Sequence, residues 1–506
     1  MKKYNIVFLA AVAIVFIISA CGLFFPEEFA SAAGAVFSAL TGNFDWLYTL
    51  SMALFVGFSV WIGFFSKYKN MRLGADDSKP EYSTASWFAM LFSAGMGIGL
   101  VFWSVAEPMS FFAEPLGAEP GTPEALRFAM TKAFLHWGIH PWANYTVIAL
   151  AIAYMQYRRG KSAMISSLMI PLYGDRGARG PLGKVIDVFA LLATVGGVCT
   201  TLGLGVMQIN SGMNYLFGLE ITPQVVIITV VVLTVIYVST AVAGVEKGSA
   251  IVSNANVIIA GAVMVLMFII GPTGDILNNL IEGIGEYFTD FISNSFAMGA
   301  FGGEDWYSSW TIYYWAWWIA WSPFTGSFIA RISKGRTVKE FVTGVLFLPA
   351  IASMIWFAIF GTLGTDLGLG AAREAITSTA TALFYVLDHY PLGRIFCYVM
   401  LILVCTFFCA SATSATITLG TYSEGGTLNP SNRSKVIWGL LLAMLSLSLM
   451  LSSDNGIDML KTISIVVGFP FAIIKLVSMA AFGKALREEN PEAIEAAYRA
   501  SGPQAR

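Results

Sequence analysis

The densest run of chemically suggestive side chains is Trp310-Thr311-Ile312-Tyr313-Tyr314-Trp315-Ala316-Trp317-Trp318-Ile319-Ala320-Trp321. Interfacial anchoring explains Trp310, but Trp317, Trp318 and Trp321 lie two or three turns deeper, where a lipid-facing helix has no need of indoles. Trp318 and Trp321, three residues apart, share a helix face. A second group, Trp137, Trp142 and Tyr145, recurs through His136-Trp137-Gly138-Ile139-His140-Pro141-Trp142-Ala143-Asn144-Tyr145. Indole and phenol faces attract a methylated ammonium electrostatically, by about 0.5 to 2 kcal/mol each, and need no counter-charge to do so. Core packing accounts for any one of these rings. The set together is expected to form a cage for an onium group.

Two backbone features accompany the rings. Ser93-Ala94-Gly95-Met96-Gly97-Ile98-Gly99 puts three glycines at alternate positions in an apolar stretch, each costing about 1 kcal/mol relative to alanine in a helix. One glycine is explained by close helix packing; Gly95, Gly97 and Gly99 together point to an unwound binding loop. At membrane depth, unwound backbone is tolerated where it lines a cavity, and there its free N–H and C=O groups become ligands. In Trp321-Ser322-Pro323-Phe324-Thr325-Gly326, Pro323 lacks an N–H and clashes with the carbonyl four residues back, which predicts a second interruption. Interrupted helices at corresponding positions of two halves point to an inverted-repeat transporter with its substrate near the bilayer midplane.

A different chemistry is conceivable from His136 and His140, four residues apart, with Glu107 as a third ligand: a metal-dependent intramembrane hydrolase. No glutamate follows His136 in the His-Glu-x-x-His pattern such enzymes use, and histidines in this setting more often bond to neighbours. The five cysteines, Cys21, Cys199, Cys397, Cys405 and Cys409, lie in apolar stretches and make no metal-binding spacing.

The elements that must position these residues are membrane helices. Of 506 residues, 57% are hydrophobic and 12% charged, and the mean hydropathy is +0.71, whereas soluble domains carry roughly 25% charged residues. A water-soluble fold is excluded. The net charge of −2 and pI near 6.0 leave no basic footprint for nucleic acid. Apolar runs predict twelve spans, starting near residues 6, 45, 84, 127, 184, 221, 249, 308, 341, 392, 436 and 459. Lys67, Lys69 and Arg72, then Arg158, Arg159 and Lys161, then Lys334, Arg336 and Lys339 fall in alternate connections, with acids such as Glu114, Glu119, Glu282 and Glu304 in the others. By the positive-inside rule, both termini are expected in the cytoplasm. Between spans seven and eight, residues 275–294 have an amphipathic helical pattern, read equally as a surface helix or an oligomer contact. The expected organisation is two additional helices (1–83), a first five-helix repeat (84–271), an amphipathic connection (272–307), a second repeat (308–482) and a short tail (483–506).

Gly95-Met96-Gly97-Ile98-Gly99-Leu100 through Ala106-Glu107-Pro108, the block Trp310 to Phe341 with Trp317-Trp318 and Ala330-Arg331-Ile332-Ser333-Lys334-Gly335-Arg336-Thr337, and Asp388-His389-Tyr390-Pro391 resemble the betaine/choline/carnitine transporter family. The resemblance covers essentially the whole membrane region. It implies an all-α fold with twelve transmembrane helices and a LeuT-like inverted five-helix-repeat core, a bacterial inner-membrane location, a homotrimer, and no enzymatic activity or organic cofactor. It places an aromatic box on Trp137, Trp142, Tyr145 and Trp318, and a release path along Trp317, Trp321 and Phe324. Choline carriers similar to this chain have an aspartate where Gly99 stands. With only backbone there, the expected cargo is a zwitterion, glycine betaine first, then carnitine or another methylated zwitterion.

Sodium-coupled relatives bind an ion between the unwound third helix and a Thr-Ser-Ala-Asp stretch, matched here by Ala410-Ser411-Ala412-Thr413. The resemblance leaves Ser411 and carbonyls of Ala94, Met96 and Phe407 as ligands. At the family's other ion position Thr194 is retained and a second threonine is Val198. Sodium symport is the expectation, with proton symport and exchange as alternatives. The segment from Phe482 onward balances its bases with Glu488, Glu489, Glu492 and Glu495, so osmotic activation through a basic tail is not expected.

Overall fold

The computed structural model describes residues 5–95, 97–244, 246–452 and 456–500. Helices α1 (Ile6–Phe24) and α2 (Pro26–Val60) form the first two passages. The third is α3 (Thr84–Gly95) with α4 (Ile98–Ala113), and the fourth is α5 (Pro123–Trp137) with α6 (Ile139–Ala153). Then come α7 (Pro181–Phe217), α8 (Pro223–Ala243), α9 (Glu246–Ile270) and the connecting α10 (Thr273–Thr289). The second half contains α11 (Tyr313–Ile332), α12 (Val338–Asp366), α13 (Gly393–Ser423), α14 (Asn432–Leu451) and α15 (Gly456–Leu486). The second passage starts well before residue 45 because Pro26 opens the helix, its missing N–H falling where no partner is needed.

The helix starts repeat this device. Pro123 and Pro223 follow Thr122 and Thr222, whose hydroxyls accept the N–H groups of Ala125 and Val225. Thr337 and Glu340 form a reciprocal capping box at the head of α12. Gly218 ends α7 at φ 69°, a left-handed conformation that favours glycine.

Among the described residues nine helices are long and apolar enough to cross a membrane. The other three of the twelve passages, the third, fourth and eighth, are short, broken or rich in polar and aromatic groups, and these carry the site. The third breaks as predicted: α3 stops at Gly95, Gly97 is extended (φ −155°, ψ −175°) and α4 starts at Ile98. Met96, between them, lies outside the described residues.

The predicted interruption at Pro323 is corrected, because α11 runs through it. The carbonyl that Pro323 leaves without a donor, Ile319 O, accepts the Ser322 hydroxyl at 2.6 Å, and the Pro323 carbonyl accepts the Tyr422 hydroxyl at 2.8 Å. The Ser322 hydroxyl thereby replaces the missing ladder bond, and Tyr422 ties the same turn to α13. The fourth passage breaks instead, at Gly138 (φ −90°, ψ −130°). A Cβ there would lie 2.3 Å from the Phe134 carbonyl oxygen, and Pro141 cannot donate to Trp137 O across the break.

The connecting helix α10 covers this break. Tyr287 is fully buried and its hydroxyl accepts the Ile139 N–H at 3.2 Å, the first donor beyond Gly138. Its outer face exposes Ile281 and Phe288, and Ile292 is exposed just beyond it.

Candidate functional site

Glu107, on α4, is completely buried. Its Oε1 lies 2.6 Å from His136 Nδ1, while Oε2 accepts the Trp137 indole N–H at 2.8 Å and the Tyr314 hydroxyl at 2.6 Å. His136 Nε2 is hydrogen-bonded to Thr311 Oγ1 at 3.0 Å. A carboxylate away from water is strongly unfavourable unless its lone pairs are filled, so this one holds three elements, α4, α5 and α11, in a fixed arrangement. In doing so it fixes the ring of Trp137.

Trp318 is held from both sides. Its indole N–H donates to His136 O at 2.9 Å, a carbonyl in the last turn of α5 with no helical partner beyond the break. Its own carbonyl accepts the Asn144 amide at 2.8 Å, and Asn144 in turn accepts the buried Lys475 ammonium on both its backbone O, at 2.8 Å, and Oδ1.

The four predicted box residues come together. Trp137 meets Trp318 at 4.9 Å and 77°, Trp318 meets Tyr145 at 6.4 Å and 79°, and Tyr145 meets Trp142 at 5.5 Å and 79°. Each ring stands nearly perpendicular to the next, as the walls of a box require, and all four are buried. Trp317 stacks on Trp318 at 4.6 Å and 14° and meets Trp137 at 6.1 Å. The N–H groups of Trp317 and Trp321 both donate to Gly197 O, at 3.3 and 2.7 Å. Trp321 then meets Phe324 at 5.2 Å, and both are half-buried.

The broken third passage reaches this cluster. A Cβ on Gly99 would come 2.6 Å from Trp317 Cη2 and 3.3 Å from Trp137 Cη2, so bare backbone lies against two indoles and no side chain fits without moving one. Gly97 faces open space. The first N–H groups of α4 have no intrahelical partners and the positive end of its dipole is at this point, a setting suited to a carboxylate.

The residues expected to hold an ion divide into two places. A Cβ on Gly205 would touch Phe408 at 2.9 Å and Ile98 at 3.0 Å, so the start of α4 and the Phe407 to Ser411 stretch of α13 meet across α7. Ala94 is in the last turn of α3. Thr194 lies elsewhere: it is one turn from Gly197 under Trp321, about 16 Å along α7 from Gly205, and its hydroxyl donates to Ala190 O at 2.8 Å.

The metal reading loses its geometry. His140 Nε2 bonds to Ser295 at 2.8 Å and its ring stacks on Trp315, away from the Glu107–His136 pair, and no three potential ligands converge among the described residues. Sequence reasoning missed Tyr314, Asn144, Gly197 and Lys475. A lysine inside an apolar run was the available signal for Lys475; a glycine three residues before Pro141 was the signal for the break that frees His136 O.

Fold and site together define a multi-pass transporter with a LeuT-like core. The crystal structure of MhsT in complex with L-phenylalanine matches with a TM-score of 0.50 at 14% identity, over 84% of this chain and 100% of that one. Residues 6–491 match the sequence profile of the BCCT, betaine/carnitine/choline family transporter, family. The chain belongs to that family and is a transporter, not an enzyme. The glycine betaine transporter OpuD of Bacillus subtilis (strain 168) is 43% identical over 497 residues, 97% of this chain and 96% of the relative. An ectoine/hydroxyectoine transporter of Virgibacillus pantothenticus is 38% identical over 495 residues, 97% of this chain and 98% of the relative.

Proposed function

We propose that this chain imports a zwitterionic quaternary-ammonium compound, glycine betaine first and carnitine or another methylated zwitterion next, by sodium symport. The observation that carries this reading is the box of Trp137, Trp318, Tyr145 and Trp142 against the bare backbone of Gly99. Glu107 is the carboxylate beside it, and its oxygens are already bonded to His136, Trp137 and Tyr314. A cation alone would lack a counter-charge there; a zwitterion brings its own and places it at the head of α4. The relatives named for glycine betaine and ectoine, both zwitterions, support the choice.

For sodium, the ligands are the Ser411 hydroxyl and the carbonyls of Ala94, Met96 and Phe407, with Thr194 at a separate position. The meeting of Ile98 and Phe408 supports the first set. One observation favours a second reading, proton symport: the Glu107–His136 pair could carry a proton while bonded directly to a wall of the box. Membership of the bacterial inner membrane, cytoplasmic termini, repeats at 84–271 and 308–482, and a homotrimer are part of the same proposal. Exposed Ile281, Phe288 and Ile292 support an oligomer contact at the connecting segment.

Uptake of labelled glycine betaine into proteoliposomes, with sodium and proton gradients imposed separately, tests the reading. Accumulation driven by inward sodium and weakened by Ser411→Ala is expected. Accumulation driven by protons alone and abolished by Glu107→Gln would establish the second reading instead.

A further inference from the structure

Lys461 stands in the second turn of α15, at the end of the bundle away from the tail that follows Leu486. In the topology proposed above this is the outer end. Its ammonium faces three rings, Trp310 at 4.6 Å, Tyr313 at 5.2 Å and Trp103 at 5.8 Å from the ring centres. Trp103 is on α4, Tyr313 opens α11, and Trp310 belongs to the π-helical turn Ser308–Ile312 that leads into it. The ammonium also donates to the Ser309 carbonyl of that turn at 3.1 Å. No carboxylate among the described residues forms an ion pair with it. Rings and one carbonyl therefore hold a full positive charge, a setting in which cation–π attraction counts.

These rings touch the box. Tyr313 stacks on Trp317 at 5.6 Å and 12°, and Trp317 in turn stacks on Trp318. Trp103 meets Trp310 at 5.4 Å and 75° and Tyr314, a partner of Glu107, at 6.0 Å. Lys461 thus ties α15 to α4 and α11, the helices that contribute Gly99 and Trp318 to the site. A second caged lysine shows what a permanent tie looks like. Lys132 is 5% exposed, and its ammonium bonds Asn294 Oδ1 at 2.8 Å and the Tyr307 hydroxyl at 3.4 Å. Lys461 is only half-buried, and its one hydrogen bond goes to a π-helical turn, a geometry frequent at functional sites.

We propose that Lys461 is a gating residue: its ammonium latches α15 onto the outer ends of α4 and α11 when cargo fills the box, and leaves the ring cage to admit cargo. The inference rests on the topology and cargo proposed above. A carrier must close and reopen its outer side in every cycle, so the two states have to lie close in free energy. A charge held by rings suits this exchange, because the released ammonium is taken up by water, whereas a buried ion pair would leave a carboxylate stranded. The stack from Tyr313 through Trp317 to Trp318 links the latch to the occupied box.

Acetylation of lysines by a water-soluble succinimidyl ester, read by mass spectrometry on the purified full-length chain in nanodiscs, tests this. Exposed Lys339 and caged Lys132 serve as references. Saturating glycine betaine is expected to slow modification of Lys461 about fivefold and to leave both references unchanged. Without betaine, Trp310→Leu removes the nearest ring and should make Lys461 several times more reactive. In uptake, Lys461→Met should lower kcat about tenfold with KM within about a factor of two. Lys461→Arg, which keeps a cation for the rings, should retain most of the wild-type rate. Lys461 equally reactive with and without betaine, or Lys461→Met as fast as the wild type, overturns the latch while the cargo assignment stands. If Lys461→Met does not fold, acetylation of the wild type decides. No betaine binding by the wild type overturns the cargo assignment, and Trp310→Leu then decides the latch: a freed Lys461 supports it and an unchanged one overturns it.

Discussion

The indole N–H of Trp137 donates to Glu107 Oε2 at 2.8 Å, and through that bond a fully buried carboxylate sets the wall of the aromatic box. The same oxygen accepts Tyr314 at 2.6 Å. A glutamine at this position can keep one oxygen facing Trp137 and Tyr314, but it turns an amide toward His136 Nδ1 in place of Oε1 and removes the charge that strengthens all three bonds. Glu107→Gln is therefore expected to weaken betaine binding by about tenfold or more, from the roughly 1.5 to 3 kcal/mol of a charged hydrogen bond. Tryptophan-fluorescence titration measures it; an unchanged affinity would mean that Trp137 is held by packing alone.

Gly99 provides a test of charge selection. A Cβ there meets Trp317 at 2.6 Å, so Gly99→Asp must push one indole aside while placing a carboxylate beside the box. Betaine affinity should fall, by repulsion of its carboxylate, and choline affinity should rise. Competition between the two ligands on the variant reads the outcome. Equal loss of both would indicate that crowding, not charge, governs this position.

Lys475 is the third test. Its ammonium is fully buried, bonds to Asn144 at the backbone O (2.8 Å) and at Oδ1, and lies 4.1 Å from the ring centre of Phe55. Asn144 passes this on to Trp318 O. Lys475→Met keeps the bulk and leaves Asn144 Oδ1 unpaired, at about 1 to 3 kcal/mol. A lower melting temperature in detergent and weaker betaine binding are expected together. A drop in stability with intact binding would separate Lys475 from the site.

Much of this arrangement was legible in the residues, and the reasons are physical. Indoles deep in an apolar run have few uses, so the two groups of rings around Trp137 and Trp318 stood out, whereas the choice of Trp137, Trp142, Tyr145 and Trp318 as one box came from the family resemblance; the helix cost of the glycines at 95, 97 and 99 signalled the break in the third passage. Pro323 misled, because its effect depends on whether a neighbour replaces the missing bond, and the Ser322 hydroxyl does so by donating to Ile319 O. The break at Gly138 depends on Tyr287, a residue on another element, to satisfy Ile139. The partners of Glu107 are drawn from α5 and α11, so its role became visible only when three helices were placed side by side. The tail was read from charge balance alone; in the structure Glu489 bonds Arg158 at 2.7 Å and Glu488 bonds Arg159 at 2.6 Å, so its acids tie it to the loop after α6.

The central claim is that positive charge, not shape, is what the rings recognise. Glycine betaine and 3,3-dimethylbutyrate differ in a single atom, nitrogen for carbon, at the centre of the three methyl groups, so they match in size and in carboxylate. Binding of both to the wild type and to Trp318→Leu measures the charge term directly. From the cation–π energy of several rings, the wild type should prefer betaine by roughly a hundredfold, and Trp318→Leu should lose much of that preference. Equal affinity of the wild type for the two compounds would contradict the account.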